Sequence, residues 1–417
     1  MRKKYIYFLL LSFLFSGSSF SQTRFTLQKA LQTARENNSV LRTEKFNIGI
    51  AKSDVTTAGL RPNPVMGISY ISTIRKQDYA ENTGLLNSAN TQTSLQLGKI
   101  FQIAGQRKNA IDLAEKTAVA TENTYHETER TLYLEVAGKW MEVWAAQKKL
   151  ALIQAAKSNI DSLANINKYR YTKQVITQTD LYRTELLARQ YALQAKTAQQ
   201  EIINKQKELK FFLGIKVEVT ADISDDFLYR IPSGIDSLLQ QSLHNRSDIL
   251  SSRLNVEAAS SNIRLQRSLA IPSPEIGVVY NPQNRIPYVG AYLTFELPFF
   301  SRNQGERQKA VLLKQQAEQQ FSTIQSRIGT EVTNAYADYE FQKQSLEKFE
   351  NMITQAQTIL NNVKYAYLRG GTTIIDFLEA QRSWLEIQQQ YYDTLELYKQ
   401  SIIQLLYVTG LINQLAK

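Results

Sequence analysis

Tyr365-Ala366-Tyr367-Leu368-Arg369-Gly370-Gly371-Thr372-Thr373-Ile374-Ile375-Asp376-Phe377-Leu378-Glu379-Ala380-Gln381-Arg382 sets two glycines between long runs of helical apolar-polar spacing. The same residue types stand at Tyr169-Arg170-Tyr171 and Thr177-Gln178-Thr179-Asp180-Leu181. Tyr171, Asp180 and Gly214 precede Tyr367, Asp376 and Gly410 by one offset of 196 residues (367 − 171, 376 − 180, 410 − 214). Farther out, Pro62-Asn63-Pro64-Val65-Met66-Gly67 is echoed by Pro272-Ser273-Pro274-Glu275-Ile276-Gly277, and Gly105-Gln106-Arg107 by Gly305-Glu306-Arg307. Ordered self-similarity of this kind marks an internal duplication. Each half runs helix, β-hairpin, long helix, tip, helix, and the quoted stretch and its copy are the tips of two helical hairpins.

The prolines sharpen this reading. They fall at 62 and 64, at 232, and at 272, 274, 282, 287 and 298, leaving 65–231 and 299–417 free of them. An interior proline would break a helix, so these intervals permit very long ones. Trp384, Ile387, Tyr391, Leu395, Tyr398, Ile402 and Leu405 are spaced 3-4-4-3-4-3. Phe321, Ile324, Ile328, Val332, Ala335 and Tyr339 behave alike. Narrow apolar stripes on helices rich in Gln, Lys and Glu predict antiparallel coiled coils. The predicted helices cover about 26–60, 105–171, 178–212, 237–270, 305–368 and 374–409. The two outgoing ones would run roughly 100 Å each at 1.5 Å per residue. Shorter ones laid end to end, 178–212 with 237–270 and 374–409 with 26–60, balance them. Residues 213–236 would form an equatorial segment where such a stack joins.

Beside the prolines the period changes to two. In Val289-Gly290-Ala291-Tyr292-Leu293-Thr294-Phe295-Glu296-Leu297 the odd positions are apolar and the even ones small or polar. That alternation predicts a strand with one oily and one wet face. Val65–Ile71, Thr93–Phe101 and Glu275–Tyr280 read as strands too, paired into hairpins with connections at 73–91 and 281–287. Tyr288 and Phe299-Phe300 flank the strand 289–297 as aromatics do at a membrane interface. Four strands cannot close a barrel, and an open edge is not tolerated in lipid. Membrane barrels have at least about 8 strands, so the chain must oligomerise.

Composition removes other classes. The chain has 417 residues, 49 basic and 38 acidic, and a net charge of +11. Apart from the N-terminus the charges are interspersed, which argues against nucleic-acid binding. The chain has no cysteine, so disulfides, thiolate metal sites and a lipid-modified cysteine are not expected. His126 and His244 are isolated, and His126-Glu127-Thr128-Glu129-Arg130 lacks the second histidine of a zinc-protease helix. Neither a P-loop nor a Gly-x-Gly-x-x-Gly cradle is present, so enzymatic activity and cofactors are not expected and energy must come from a partner. Arg2, Lys3 and Lys4 before the apolar run Tyr5 to Phe15, then Ser19-Phe20-Ser21, have the layout of a signal peptide cleaved after Ser21. The expected organisation is signal peptide 1–21, a first repeat 22–214 and a second repeat 215–417.

Leu27…Ala30-Leu31…Asn37-Asn38-Ser39, the two Pro-x-Pro strand starts, Gly105-Gln106-Arg107, Arg246-Ser247-Asp248-Ile249 and Tyr367…Gly370…Asp376-Phe377-Leu378-Glu379-Ala380-Gln381-Arg382 through Gly410 together resemble the TolC-like outer-membrane efflux channel family, over essentially the whole mature chain. The fold class so implied is mainly α with a β-barrel part: duplicated long α-hairpins plus four strands per chain. A homotrimer would complete a 12-stranded barrel and an α-helical tunnel. The resemblance also implies outer-membrane lipid around the barrel, a periplasmic adaptor (membrane fusion) protein, and an inner-membrane pump of the proton-driven RND type. The cargo would be small solutes, metal cations or drugs. Gln102-Ile103-Ala104-Gly105-Gln106-Arg107 is similar to the heavy-metal-cation branch. With no cysteine and only Met66, Met141 and Met352 in the mature chain, soft-metal binding by the channel itself is not expected. Type I polypeptide secretion and a soluble periplasmic coiled-coil scaffold are the competing readings; the paired strands argue against the scaffold.

Site residues follow from the same resemblance. Asp376 and Glu379 match carboxylates that narrow the tunnel mouth, and threefold symmetry would make them acidic rings. Thr373-Ile374-Ile375-Asp376 and Thr177-Gln178-Thr179-Asp180 equally fit capping boxes at helix starts. Tyr367 matches a tyrosine that takes part in closing the mouth. Thr372 stands where the family often has an arginine, and Arg369 precedes the glycines instead. The tips, with Lys173, Gln174 and Val175 in one and Arg369, Gly370, Gly371 and Thr372 in the other, are the expected adaptor-docking surfaces.

Overall fold

The computed structural model describes residues 23–227, 229, 231, 234–282 and 287–417; the expected signal peptide lies outside them. In chain order the elements are β1 (Thr23–Phe25), α1 (Leu27–Asn37), α2 (Ser39–Ala58), β2 (Val65–Ser72), β3 (Thr91–Ile100), α3 (Gln106–Thr172) and α4 (Gln178–Leu213). There follow β4 (Val219–Ala221), α5 (Ile235–Asn245), α6 (Ser247–Leu269), β5 (Glu275–Asn281), β6 (Tyr288–Thr294), α7 (Gln304–Leu368) and α8 (Ile374–Val408). The proline-free intervals hold the long helices: α3 has 67 residues and α7 has 65. At 1.5 Å per residue each is about 100 Å long.

The chain divides into two compact units, one built on segments up to Thr43, Thr128–Arg246 and Ile328–Lys417, the other on Glu44–Glu127 and Ser247–Arg327. The second unit holds the sheet, in the order β2-β3-β5-β6, all neighbours antiparallel. Its registers sort the side chains cleanly. Ile68, Leu95, Tyr280 and Val289 lie in one row, and Met66, Leu97, Val278 and Ala291 in the next row on that face. The opposite face carries Gly67, Gln96, Val279 and Gly290, then Val65, Gly98, Gly277 and Tyr292. The first face is mainly oily, with Lys99 in the row of Ile276 and Leu293, and the second sets glycines and polar residues beside Val65, Val279 and Tyr292; a strand between lipid and water has this bias. Among the described residues β2 and β6 have no outer neighbour.

The sheet departs from expectation at its end. β6 stops at Thr294, paired with Glu275, and does not run on to Leu297. Beyond Glu275 the neighbouring strand would continue into Pro274, which has no N–H to offer a ladder. Near this end Tyr292 lies across Gly277, and its hydroxyl donates to Glu275 Oε1 at 2.8 Å. A Cβ at Gly277 would sit 2.4 Å from the Tyr292 ring, so the glycine is the groove that the ring fills. In the same unit α3 packs along α6 through Asp112–Arg264 (2.5 Å), Lys116–Glu257 (3.8 Å) and Thr124 Oγ1–Ser251 Oγ (3.1 Å). The Gly105-Gln106-Arg107 motif anchors loop backbone here: Gln106 Nε2 donates to Ile271 O and Arg107 Nε to Gly59 O.

Two helices expected to be continuous are broken in the first unit. The 26–60 helix bends out at Asn38 (ψ 127°) and the 237–270 helix at Arg246 (ψ 130°). Both breaks sit on the duplicated glycines. Gly214 and Gly410 are in the left-handed region (φ 68° and 75°), and a Cβ there would meet Asn37 O at 2.5 Å and Arg246 N at 3.2 Å respectively. Asn38 Oδ1 accepts from Val40 N and Leu41 N, while its Nδ2 donates to Phe212 O. Buried Arg246 donates to Glu331 Oε2 at 2.6 Å and Val408 O at 3.1 Å. Part of the 213–236 segment joins this unit through β4, parallel to β1, and through Asp225, which accepts from Leu27 N at the start of α1. Lys399, buried on α8, donates to the carbonyls of Asp226 and Phe227, and its burial holds its pKa below the usual lysine value.

Replacing Gly277 by valine expels the Tyr292 ring, and overpacking of this kind costs about 1–3 kcal/mol. The expected result is a lower thermal midpoint for loss of the β-sheet circular dichroism in detergent. Most of that loss disappears in a Tyr292→Ala background; an equal loss in both backgrounds contradicts the groove.

Candidate functional site: the paired hairpin tips

The ends of α3, α4, α7 and α8 share one apolar core. Ala156, Ile160 and Leu163 of α3 meet Leu187 and Tyr191 of α4, Leu360 and Tyr367 of α7, and Phe377, Trp384 and Leu385 of α8. On α3 this stripe runs 153, 156, 160, 163 and then reaches Asn167, a polar residue at a core position. Thr184 occupies the matching place on α4, and both are fully buried. Buried polar groups must be paired. Here the partner comes from the other hairpin: Tyr367 donates its hydroxyl to Asn167 Oδ1 at 2.8 Å. Asn167 Nδ2 donates to Thr184 Oγ1 at 2.9 Å, and that hydroxyl donates to Asp180 O at 2.9 Å. The Tyr367 ring stacks on Phe377 with centroids 5.5 Å apart, and the Arg170 guanidinium lies 5.1 Å above it. The two tips are thus tied by a polar wire inside an apolar sleeve.

The turns themselves are built twice to one plan. Val175 N donates to Arg170 O and Gln174 N to Tyr171 O; Gly371 N donates to Ala366 O and Gly370 N to Tyr367 O. Gln174 (φ 58°) and Gly370 (φ 77°) occupy the same left-handed position. Glycine takes that conformation freely, and a side chain there costs about 1–2 kcal/mol. Capping boxes follow both turns. Thr177 and Asp180 exchange cap bonds at the start of α4, as Thr373 and Asp376 do at the start of α8. Asp376 Oδ2 also accepts from Thr372 Oγ1 at 2.6 Å. Thr372 is therefore recruited into the cap. The Thr372 and Thr373 hydroxyls, with the Thr373 N–H, hold the Asp376 carboxyl below the usual carboxylate range. Glu379, one turn on, is exposed.

Of the residues expected at the mouth, Asp376 and Glu379 are exposed on the first turns of α8 while Tyr367 is buried in the core. Lys173, Gln174 and Val175 lie on the first tip, and Arg369, Gly370, Gly371 and Thr372 on the second. Asn167, Thr184 and Arg170 were not anticipated. Their signal was a polar or charged residue continuing an apolar 3-4 stripe, which in coiled coils fixes register. No group of His, Cys, Asp and Glu suited to a metal ion occurs among the described residues, and no described helix is long and apolar enough to cross a membrane.

The outer membrane efflux protein family matches residues 30–215 and 238–411. The outer membrane protein TolC of Salmonella enteritidis is 23% identical over 99% of this chain and 88% of its own length. The pyoverdine export outer membrane protein OpmQ of Pseudomonas putida is 22% identical over 87% of this chain and 81% of its own. Among solved structures the CusC transmembrane channel superposes with a TM-score of 0.77 at 17% identity, covering 95% of each chain.

Gln174→Gly relieves the left-handed glutamine and is expected to stabilise the first tip by about 1 kcal/mol, while Gly370→Gln destabilises the second by about 1–2 kcal/mol. Amide hydrogen exchange at the turns reads both, and equal effects of opposite substitutions would contradict the shared plan. Because the Asp376 pKa is depressed in the folded tip, its cap contribution is present above the unfolded Asp value and fades as pH falls through the lowered one. Exchange protection of the first turn of α8 should therefore drop at acid pH in the wild type and change little with pH in Asp376→Asn.

Proposed function

Because the chain belongs to the outer membrane efflux protein family, we propose that it is the outer-membrane conduit of a tripartite export system. Each of three copies contributes its four strands to one closed barrel, oily face to lipid and polar face to water. The observation that carries this reading is the sheet itself: one mainly oily face, one rich in glycine and polar residues, and, among the described residues, two edges without a neighbour. In hydrocarbon those edges require partner strands, and other copies of the same chain supply them. The helical hairpins of the three copies form a tunnel.

The conduit is passive. An inner-membrane pump of the proton-driven RND type supplies the energy, and a periplasmic adaptor joins pump and channel at the tips, at Lys173, Gln174 and Val175 and at Arg369, Gly370, Gly371 and Thr372. The cargo is small solutes, metal cations or drugs. The protein is exported with cleavage after Ser21 and is not lipid-anchored, in keeping with the absence of cysteine. At the mouth, Asp376 and Glu379 form acidic rings that attract cations, and Tyr367 holds the hairpins closed through Asn167.

Purified chain in planar bilayers should give single-channel steps, with three copies per particle by native mass spectrometry. A multivalent cation added from the tip side should block the channel, and Asp376→Asn with Glu379→Gln should raise the blocking concentration by about tenfold or more, as expected on losing a ring of charge. Absence of conductance sinks the conduit; unaltered block in the double variant returns both carboxylates to capping and solvation alone.

A further inference from the structure

We propose that the two tips together form a cationic docking surface for an acidic protein segment, with Lys173 and Arg369 as its studs. The inference rests on the tips being the partner-facing end of the channel and goes on to state the chemistry of what binds there. Lys173 Nζ lies 5.6 Å from the ring centroid of Tyr169, and the Arg369 guanidinium 4.0 Å from that of Tyr365. Each cation follows its tyrosine by four residues, and the two pairs stand 196 residues apart (369 − 173, 365 − 169). Among the described residues neither cation forms an ion pair with a carboxylate. Both tyrosines are exposed, at 65% and 57%. The arrangement is thus an aromatic platform carrying an unpaired cation, built twice in one chain.

The neighbouring charges favour an acidic partner at the first tip and balance at the second. Around the first stand Lys168, Arg170 and Arg183 against Asp180 and Glu185, and around the second Lys364 and Arg382 against Asp376 and Glu379, so the excess there comes from Arg369 itself. Asp180 and Asp376 are engaged in capping, and Asp180 also lies 3.7 Å from Arg183. The Arg170 guanidinium is turned inward over the buried Tyr367 ring, which leaves Lys173 as the outward cation of the first turn. A cation resting on an aromatic face has lost part of its rotamer freedom before binding, so less entropy is lost when a carboxylate arrives. Carboxylates pair with such groups through short charge-assisted bonds, and the arginine can take one in bidentate fashion. The occupant is a protein rather than a membrane surface: a helix lying on lipid needs a broad apolar face beside its cations. The tips offer turns with separate tyrosines, and their exposed aliphatics, Val175 in one turn, Leu368 at the end of α7 and Ile375 at the start of α8, do not share one helix face.

The test uses the full chain in detergent and two synthetic helical hairpins, alike except that one has a glutamate-rich turn and the other a lysine-rich turn. The glutamate hairpin should bind, with affinity falling as salt rises. Lys173→Glu with Arg369→Glu should weaken it by at least about tenfold, the scale on which complementary charge acts, and transfer binding to the lysine hairpin. Lys173→Arg with Arg369→Lys should keep the preference, and Tyr169→Ala with Tyr365→Ala should weaken it severalfold. Equal affinity for the two hairpins, indifference to charge reversal, or binding only to phosphatidylglycerol vesicles overturns the proposal. Bilayer conductance on the same preparation separates it from the conduit reading. Wild-type protein that conducts without preferring either hairpin refutes the docking surface alone, whereas protein that prefers the glutamate hairpin without conducting refutes the conduit.

Discussion

A backbone N–H or C=O in hydrocarbon must be hydrogen-bonded within the protein, and this constraint governs the chain. No described helix is long and apolar enough to cross a membrane. In the sheet β3 and β5 are paired on both sides, and β2 and β6 on one. Apolar side chains of the four strands gather on one face, with Lys99 among them, and glycines on the other. There Tyr292 needs room to lie flat, and Gly277 leaves that room. The helices obey a different rule. They bury narrow stripes against each other and leave polar flanks to water, so their sequences are rich in Gln, Lys and Glu.

Much of this is legible in the sequence. The absence of proline over long intervals marked α3 and α7, and the change of period marked the hairpins, because both signals come from local geometry. The capping boxes were readable for the same reason: Thr-x-x-Asp closes on itself within one turn. What stayed hidden depends on residues distant in sequence. Asn38 offers a local cap, but the seat that each break rests on is a glycine some 170 residues farther along (214 − 38, 410 − 246), which nothing near Asn38 or Arg246 announces. The early end of β6 was hidden likewise, because the limit lies in the partner strand's proline and the alternation in β6 itself continues to Leu297.

The tips show how a duplicated design diverges. Their turns, caps and tyrosine-cation pairs repeat, yet Tyr367 is buried while its counterpart Tyr171 is 39% exposed. The positions corresponding to Asn167 and Thr184 in the second half are Val363 and Ala380, apolar and small. One half therefore holds the acceptor and the other the donor. A symmetric core would have had no reason to choose one pairing of hairpins over another. A single buried polar contact makes that choice, as a core asparagine does in coiled coils.

The glycine seats have a mechanical consequence. Asn37 and Asn38 rest against the bare Cα of Gly214, and Asn245 and Arg246 against that of Gly410. Sliding either strut along its neighbour would carry a side-chain-bearing residue into backbone already in contact. Asn38 is also held by Phe212 O, and Arg246 by Glu331 Oε2 and Val408 O. The seats therefore act as keyed stops that set the axial register of the broken helices against their neighbours.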